Sequence, residues 1–371
     1  MEDKPSSSRV VFLDWLRIFA FMSVFVGHKF TPTILGFTND PNTHGTLGSI
    51  LSFLYPLFQG GGAGVVIFFL VSGYIITQVL TKEKTIEFLV KRFFRIYPLY
   101  IVAVAVEAAL NNQLNGTPIA PITLIKQMSL MGDFFQTPHT LKGVEWTLRI
   151  EVLFYIAMAI IKQVGLLNGK LSFALPYVIT GIIISLFSMD PMPGRWTWTF
   201  AYVNLYTPFL FLGVIFSLHE QGRVRTTTSI LITALVIFGY WTLIPKWQPA
   251  WTNSHFAAYG LSLFIIFWFF KARLLLPAWA LFLSELTYSV YLFHNWVYDR
   301  LLSLYQAMNF DILFVHLFST ASLVMICWFF HLSIEKPFIR VGKAVVKWIL
   351  LPEGKIRTSN DSNRRSADKI Q

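Results

Sequence analysis

Charged side chains are scarce in this sequence. Asp, Glu, Lys and Arg make up 13% of its 371 residues, whereas 55% of the residues are hydrophobic. A soluble domain typically carries about 25% charged residues, so this composition excludes an ordinary soluble protein. The apolar residues come in blocks of about 20, the length that crosses a bilayer, and they indicate an integral membrane protein.

Cysteine is almost absent, and common signatures of metal and nucleotide sites are missing. Cys327 is the single cysteine, which excludes a disulfide within the chain and a CxxC metal site. The eight histidines lack the HExxH spacing of many zinc enzymes, so we predict no metal ion and no tightly bound cofactor. The glycines at 60–64 lack the Gly-Lys-Ser/Thr of a phosphate-binding loop, and we interpret them, like Ser72 and Gly73, as sites of close helix packing.

The apolar blocks predict an all-α integral membrane protein with about ten transmembrane helices. The first is not a cleaved signal peptide, because Asp14 and Arg17 interrupt its apolar core. We expect the membrane domain to cover 1–352 and the polar residues 353–371 to form a disordered cytoplasmic tail. The expected spans are 11–28, 63–80, 96–110, 146–163, 172–189, 200–218, 228–244, 255–270, 277–299 and 312–334.

Basic residues predict the orientation of these spans. Most of the 30 Lys and Arg residues fall on one side of the membrane when the N-terminus is placed in the cytoplasm. By the positive-inside rule, this distribution predicts that both termini are cytoplasmic. The net charge of +11 then faces anionic membrane lipid and does not indicate nucleic-acid binding. The opposite loops hold Lys29, Lys126, Lys142, Arg195 and Lys246.

Polar side chains inside the first span point to a reaction, because such groups are costly in a membrane. Asp14 and Arg17 are three residues apart and can pair on one helix face. His28 follows Arg17 by close to three helical turns, so it projects from nearly the same face. We interpret His28 as a catalytic imidazole near the outer end of this span. The alternative is a structural ion pair and an interfacial histidine.

Two arginines mark the expected start of the third span. Arg92 and Arg95 are three residues apart where a cytoplasmic loop enters this span, and Pro98 fits the first turn of a helix. Two guanidinium groups on one face suit the phosphates of a nucleotide-bearing donor. The alternative is that they are ordinary positive-inside anchors.

A carboxylate lies about one turn into the expected fourth span. Glu151 has Tyr155 on the same helix face, and an unpaired carboxylate there would be costly. We expect Glu151 either to orient His28 or to form a structural bond with Arg149 or Arg17.

The order of these motifs resembles that of a known family. Six motifs follow one another: Leu13-Asp14-x-Leu16-Arg17 with His28, Phe68-Phe69-x-x-Ser72-Gly73-Tyr74, Arg92-x-x-Arg95-Ile96-x-Pro98, Trp146-x-Leu148-x-x-Glu151-x-x-Phe154-Tyr155, Leu286-Thr287-Tyr288-Ser289-Val290-Tyr291-Leu292-Phe293-His294 and Ile334-Glu335-Lys336-Pro337-Phe338. The series resembles the membrane-bound acyltransferase-3 family of bacterial O-acyltransferases that modify surface glycans. The resemblance implies a ten-helix core in the bacterial cytoplasmic membrane. It also implies that His28 is the catalytic histidine, that Arg92 and Arg95 contact acyl-CoA, and that Glu151 is the fourth-helix glutamate.

Together, the residues and the resemblance predict transfer of an acyl group, most simply acetyl, from cytoplasmic acyl-CoA as co-substrate. The acceptor would be a hydroxyl of an exported or lipid-linked carbohydrate, such as an O-antigen or an exopolysaccharide. His28 would act as a general base or carry the acyl group, while Asp14, Arg17 and Glu151 orient it and offset charge at the carbonyl. A transporter or flippase for a glycan is the alternative, although no repeat supports it. An inactive glycan-binding sensor is the third hypothesis.

Overall fold

Residues 10–39 and 45–350 are described by the computed structural model of the protein. Every regular element in these two ranges is helical, so the prediction of an all-α fold is confirmed for the described part of the chain. The predicted tail, 353–371, lies outside the described residues, as does the N-terminal segment 1–9.

Fifteen α-helices occur in the described ranges. A 3-10 turn, Gln59–Gly61, leads into α4, and a π-helical turn, His331–Glu335, joins α14 to α15. In chain order the helices are α1 (Val11–Lys29), α2 (Thr31–Asn39), α3 (Gly45–Phe58), α4 (Gly62–Lys82), α5 (Thr85–Asn115), α6 (Pro121–Met128), α7 (Glu145–Gln163), α8 (Leu175–Ser188), α9 (Tyr202–Glu220), α10 (Thr226–Trp247), α11 (Phe256–Phe269), α12 (Ala278–Phe293), α13 (Trp296–Ala307), α14 (Ile312–Phe330) and α15 (Lys336–Leu350).

Six helical stretches of the described chain are long and apolar enough to cross a membrane. They are Val11–Lys29, Gly48–Lys82, Thr85–Asn115, Tyr202–Glu220, Thr226–Trp247 and Ile312–Leu350. Three further apolar helices are shorter: Ser172–Ser188, Phe256–Phe269 and Ala278–Phe293. Nine of the ten expected spans overlap one α-helix each, and the tenth, 277–299, overlaps two. The expected span 146–163 corresponds to α7, which is not among the six and carries Glu145, Arg149, Glu151 and Lys162 within 18 residues. The helices therefore fit a multi-pass membrane protein.

The prediction that Pro98 lies in the first turn of a helix is wrong. Helix α5 begins at Thr85, so Pro98 lies inside the helix and not in its first turn. Pro98 has no N–H and cannot bond the Phe94 carbonyl, the partner that an α-helix would supply. Such a loss is tolerated in membrane helices when neighbouring groups satisfy the freed carbonyl. The charged residues before Pro98 lower the local hydropathy, so the hydropathy pattern did not show that the helix begins at Thr85.

The expected span 277–299 is interrupted. Helix α12 ends at Phe293 and α13 begins at Trp296, so His294 and Asn295 form a turn between two helices. Apolar residues continue on both sides of this turn, and for that reason hydropathy did not reveal it. The break places a histidine at the end of a helix, as His28 is at the end of α1.

Close packing around α4 holds the bundle together. Helix α4 packs against α1, α9 and α11. A Cβ atom on Gly73 would overlap the Leu210 carbonyl oxygen of α9, and one on Gly64 would overlap the Ala20 carbonyl oxygen of α1. The interpretation of these glycines as packing sites is confirmed, because only a residue without a side chain allows the backbones so close.

We expect Gly73→Ala to destabilise the protein, because the new methyl group meets backbone that cannot move aside. Overpacking of this kind costs about 1–3 kcal/mol. Gly181→Ala in α8 is the matched control, since nothing lies within 4 Å of a Cβ placed there. Thermal unfolding of the detergent-solubilised proteins measures both. Equal unfolding temperatures for the two variants would contradict the close contact of α4 with α9.

Candidate active site

Three adjoining openings lie within the helix bundle. The central cavity, of about 910 Å³, lies among α1, α4, α5, α7 and α12. It shares Arg17 and Arg95 with a second opening, here called the Asp14 cleft. It shares Val24, Val65 and Tyr291 with a third, here called the His28 cleft, of about 1260 Å³. Shared walls make the three openings neighbours in a series.

Four of the residues predicted from the sequence line the central cavity. They are Arg17, Arg92, Arg95 and Glu151. Asp14 lines the Asp14 cleft, and His28 lines the His28 cleft. The structure thus brings the three arginines and the glutamate together and places the histidine in the next opening. Helix α1 spans this distance, since it carries Asp14 near its start and His28 near its end.

Glu151 is held by hydroxyl groups. Its carboxylate is buried and accepts hydrogen bonds from Ser72 Oγ at 2.7 Å and from the Tyr155 hydroxyl. Arg149, one of its suggested partners, pairs instead with Asp133 and donates to the Leu130 carbonyl at 2.7 Å. The contact between Ser72 and Glu151 joins α4 to α7 across the cavity wall. The sequence indicated packing at Ser72 but did not reveal this bond.

The predicted pair of Asp14 and Arg17 is confirmed. Arg17 Nη1 lies 3.6 Å from Asp14 Oδ1. The Asp14 carboxylate is buried and also accepts a hydrogen bond from Ser284 Oγ of α12 at 2.6 Å. Asp14 therefore fixes the position of Arg17 and ties α1 to α12.

Arg92 and Arg95 have different surroundings. The Arg92 guanidinium lies over the rings of Phe88 and Tyr155, 5.5 and 6.0 Å from their centroids. Its buried Nε has no hydrogen-bond partner among residues 10–39 and 45–350. Arg95 Nη1 lies 3.3 Å from Oε1 of the buried Glu335. Arg92 is thus placed by stacking and keeps donor capacity for a ligand, whereas Arg95 is placed by an ion pair.

Glu335 contacts the site through Arg95, and no role was predicted for it from the sequence. It lies in the π-helical turn, a distortion often found at functional sites. Besides its ion pair with Arg95, Glu335 accepts hydrogen bonds from Ser289 Oγ at 2.9 Å and from His331 Nδ1 at 2.9 Å. A carboxylate at the end of an apolar span was the available signal, but its partners lie far away in the sequence.

His28, which lines the His28 cleft, contacts a second histidine that is buried. His28 Nδ1 lies 3.0 Å from His294 Nε2, and their ring centroids are 5.2 Å apart. The next residues are also joined, since Lys29 Nζ donates to Asn295 Oδ1 at 2.6 Å. His294 closes one of the six motifs, yet the sequence did not predict its contact with His28.

Aromatic side chains surround the rest of the His28 cleft. Large flat rings with polar edges are suited to bind an organic ligand that has both apolar and hydroxyl-bearing faces. The aromatic residues that line it are Tyr55, Trp146, Trp198, Tyr202, Tyr206, Trp251, Phe256 and Tyr291. His28 is partly exposed to this cleft, so a ligand hydroxyl can reach its imidazole.

The described residues hold no cluster of metal ligands, and the cationic groups of the central cavity and the His28 imidazole lie in different openings. Within residues 10–39 and 45–350, no three His, Cys, Asp or Glu side chains are grouped so that they could hold a metal ion. Cationic side chains lie around the central cavity, while an imidazole and aromatic rings lie in the next cleft. This arrangement can bind an anionic ligand at one end and activate a hydroxyl at the other.

Comparisons with known proteins agree on one family. The family model of the acyltransferase-3 type, described as an acyltransferase domain, matches residues 10–333. The chain is also similar to nodulation protein 10 of Rhizobium leguminosarum bv. viciae, with 25% identity over 371 aligned positions that cover 90% of this chain and 94% of that protein. No solved structure matches the chain significantly.

Proposed function

Because this chain belongs to the acyltransferase-3 family over nearly its whole length, we propose that it transfers an acetyl group from cytoplasmic acyl-CoA to a hydroxyl of a cell-surface carbohydrate. An O-acyltransferase that acts on surface carbohydrate is what the family indicates. The acetyl group, the CoA donor and the direction of transfer are our proposal. The proposal rests on the series formed by the Asp14 cleft, the central cavity and the His28 cleft. This series offers a route from an end lined by arginines to a histidine.

The donor enters at the Asp14 cleft. Lys82, Arg17 and Arg95 line this cleft, and Arg92 lies beside Arg95 in the adjoining central cavity. Such cations can hold the phosphates of CoA. The pantetheine arm then extends into the central cavity. Its largely apolar walls include Phe21 and Phe68, against which an extended thioester can pack without losing polar contacts.

The acceptor sugar occupies the His28 cleft. The apolar faces of a sugar ring can stack on aromatic side chains such as Trp146 and Trp251, while its hydroxyls stay hydrogen-bonded. An acceptor hydroxyl placed beside His28 lies next to the central cavity, because Val24 and Tyr291 line both openings. The two substrates thus meet at that shared wall.

In the transfer step, the acceptor oxygen attacks the thioester carbonyl as His28 removes its proton. A C–O bond forms and the C–S bond breaks, and the CoA sulfur leaves with the proton that His28 returns to it. His28 as a transient acyl carrier gives the same net reaction in two steps. Asp14 places Arg17, and Glu151 with its hydroxyl partners shapes the donor side of the cavity.

The orientation of the protein follows from the same proposal. The Asp14 cleft faces the cytoplasm, both termini are cytoplasmic, and the chain crosses the inner membrane about ten times. We therefore expect Ser49→Cys and Thr117→Cys to react with a membrane-impermeant maleimide on intact cells, and Thr226→Cys to react only after lysis. The native Cys327 is buried and adds little background. Labelling of Thr226→Cys alone on intact cells would reverse the orientation.

Mass spectrometry of surface glycans tests the function itself. Cells that express the protein should carry glycans heavier by one acetyl mass per modified unit than cells that lack it, and the acetyl group should be lost on mild alkaline treatment. If cells that lack the protein lose the glycan from their surface, and the acyl content of their glycan is the same as in cells that express the protein, the result would support a flippase instead. Identical glycans despite abundant protein in the membrane would contradict both functions.

A further inference from the structure

The contact between the two histidines restricts which nitrogen of each ring carries a proton. His294 is buried, and its Nδ1 lies 2.6 Å from the Tyr291 carbonyl oxygen. A carbonyl only accepts hydrogen bonds, so His294 Nδ1 must be the donor. In neutral His294 the other nitrogen, Nε2, is then a lone-pair acceptor.

The same rule extends to His28. His28 Nδ1 lies 3.0 Å from His294 Nε2, and because His294 Nε2 accepts, His28 Nδ1 must carry a proton and donate it. In neutral His28 the other nitrogen, Nε2, is then unprotonated and carries a lone pair. This is the nitrogen that a general base needs, and it lies on the side of the ring away from His294.

We propose that His294 is a positioning residue that holds His28 in the tautomer with a basic Nε2 and a fixed ring orientation. The proposal rests on the proposed function, since it assigns His294 a task in the same reaction. His294 itself does not touch the acceptor: it acts through His28. Its task resembles that of a carboxylate behind a catalytic histidine, but a neutral ring performs it and a backbone carbonyl fixes that ring.

The residues that follow the two histidines, Lys29 and Asn295, also link the end of α1 to the turn between α12 and α13. Lys29 Nζ donates to Asn295 Oδ1 at 2.6 Å and is paired with Asp299 Oδ1 at 2.6 Å. Asn295 Nδ2 donates to the Lys142 carbonyl at 2.8 Å. The residues after both histidines are thus tied together, so the turn between α12 and α13 cannot shift relative to the end of α1.

Two substitutions of His294 distinguish a role in positioning His28 from a role in only anchoring the turn between α12 and α13. The amide nitrogen of Asn lies near the place of His Nδ1, so His294→Asn keeps the bond to the Tyr291 carbonyl and loses the contact with His28. The amide oxygen of Gln lies near the place of His Nε2, so His294→Gln keeps an acceptor for His28 and loses the Tyr291 bond. His316→Asn is the matched control, because His316 bonds Tyr298 and does not contact His28.

We expect glycan acylation, at equal membrane abundance, to fall on the order of 10-fold in His294→Asn and much less in His294→Gln or His316→Asn. The loss in His294→Asn should be smaller than the 10²–10⁴-fold that a missing base costs, because a free imidazole still visits the required tautomer. An active His294→Asn beside an inactive His294→Gln would mean that His294 only anchors the turn, and it would overturn the proposal.

Chemical labelling gives a second readout that does not depend on transfer. Diethylpyrocarbonate modifies an unprotonated imidazole nitrogen, and peptide mass spectrometry of the purified full-length protein measures its rate at His28. We expect several-fold slower modification in His294→Asn than in wild type and His294→Gln. In that variant Nε2 carries the proton more often, while the unprotonated Nδ1 faces the buried position 294 and is shielded from the reagent. If wild-type cells show no acylated glycan, the proposed function fails, and this labelling alone decides the role of His294. Equal rates of His28 modification in His294→Asn and wild type would overturn the proposed positioning role of His294.

Discussion

Replacing His28 with glutamine is expected to lower acyl transfer by about 10²–10⁴-fold, the usual contribution of a general base. Glutamine keeps part of the size and hydrogen bonding of the imidazole, but it cannot take up and return a proton. The acceptor hydroxyl would then have to attack the thioester unassisted, and a neutral hydroxyl is a poor nucleophile. The measurement is the acetyl content of surface glycans at equal membrane abundance of the two proteins.

The same substitution should leave the protein folded. Helix α1 is held by buried apolar residues such as Leu16 and Val24, whereas the His28 ring is partly exposed in its cleft. His316→Gln serves as the control for loss of a histidine near the same end of the bundle. Wild-type acylation by a well-expressed His28→Gln protein would remove His28 from the mechanism and make Glu151 the next candidate for the base.

Local parts of the site were predictable from the sequence. The pairing of Asp14 with Arg17 follows from a spacing of three residues on one helix, and it is present in the structure. The grouping of Arg92 with Arg95 beside one cavity follows in the same way. Hydropathy located the helices because an apolar block of membrane length has few other structures available to it.

Contacts between distant segments could not be predicted in this way. His28 and His294 are 266 positions apart, and periodicity within one helix carries no information about which helix lies beside it. The turn that places His294 is hidden in a continuous apolar stretch, so the expected span 277–299 ran through it. The hydroxyl partner of Glu151, Ser72, comes from another helix 79 positions away.

The second large effect is expected at the two arginines where the acyl-CoA donor is proposed to bind. We expect the Arg92→Lys, Arg95→Lys double variant to raise KM for acyl-CoA by about 10- to 100-fold, with a smaller change in kcat. Each hydrogen bond to a charged group contributes about 1.5–3 kcal/mol, and 1.4 kcal/mol corresponds to a tenfold change in affinity. Lysine keeps the charge but not the forked donors that match a phosphate. Transfer from labelled acyl-CoA in membrane vesicles measures both constants.

Lysine substitution is the informative choice because of Glu335. Arg95→Ala would remove the arginine that pairs with this buried carboxylate, and a buried charge that loses its partner destabilises a protein. Low activity of that variant would then report folding as much as donor binding. Arg95→Lys retains a cation for Glu335, and Arg340→Lys, at an exposed position of α15, controls for the exchange itself.

The outcome separates the two interpretations of these arginines. If Arg92 and Arg95 bind phosphate, their geometry matters and the lysine variant must lose affinity for acyl-CoA while its abundance stays unchanged. If they only anchor the cytoplasmic end of α5, lysine serves as well as arginine, because the positive-inside rule counts charge and not shape. An unchanged KM in the double variant would therefore leave the donor site without its proposed phosphate contacts, while the role of His28 in the other cleft would stand.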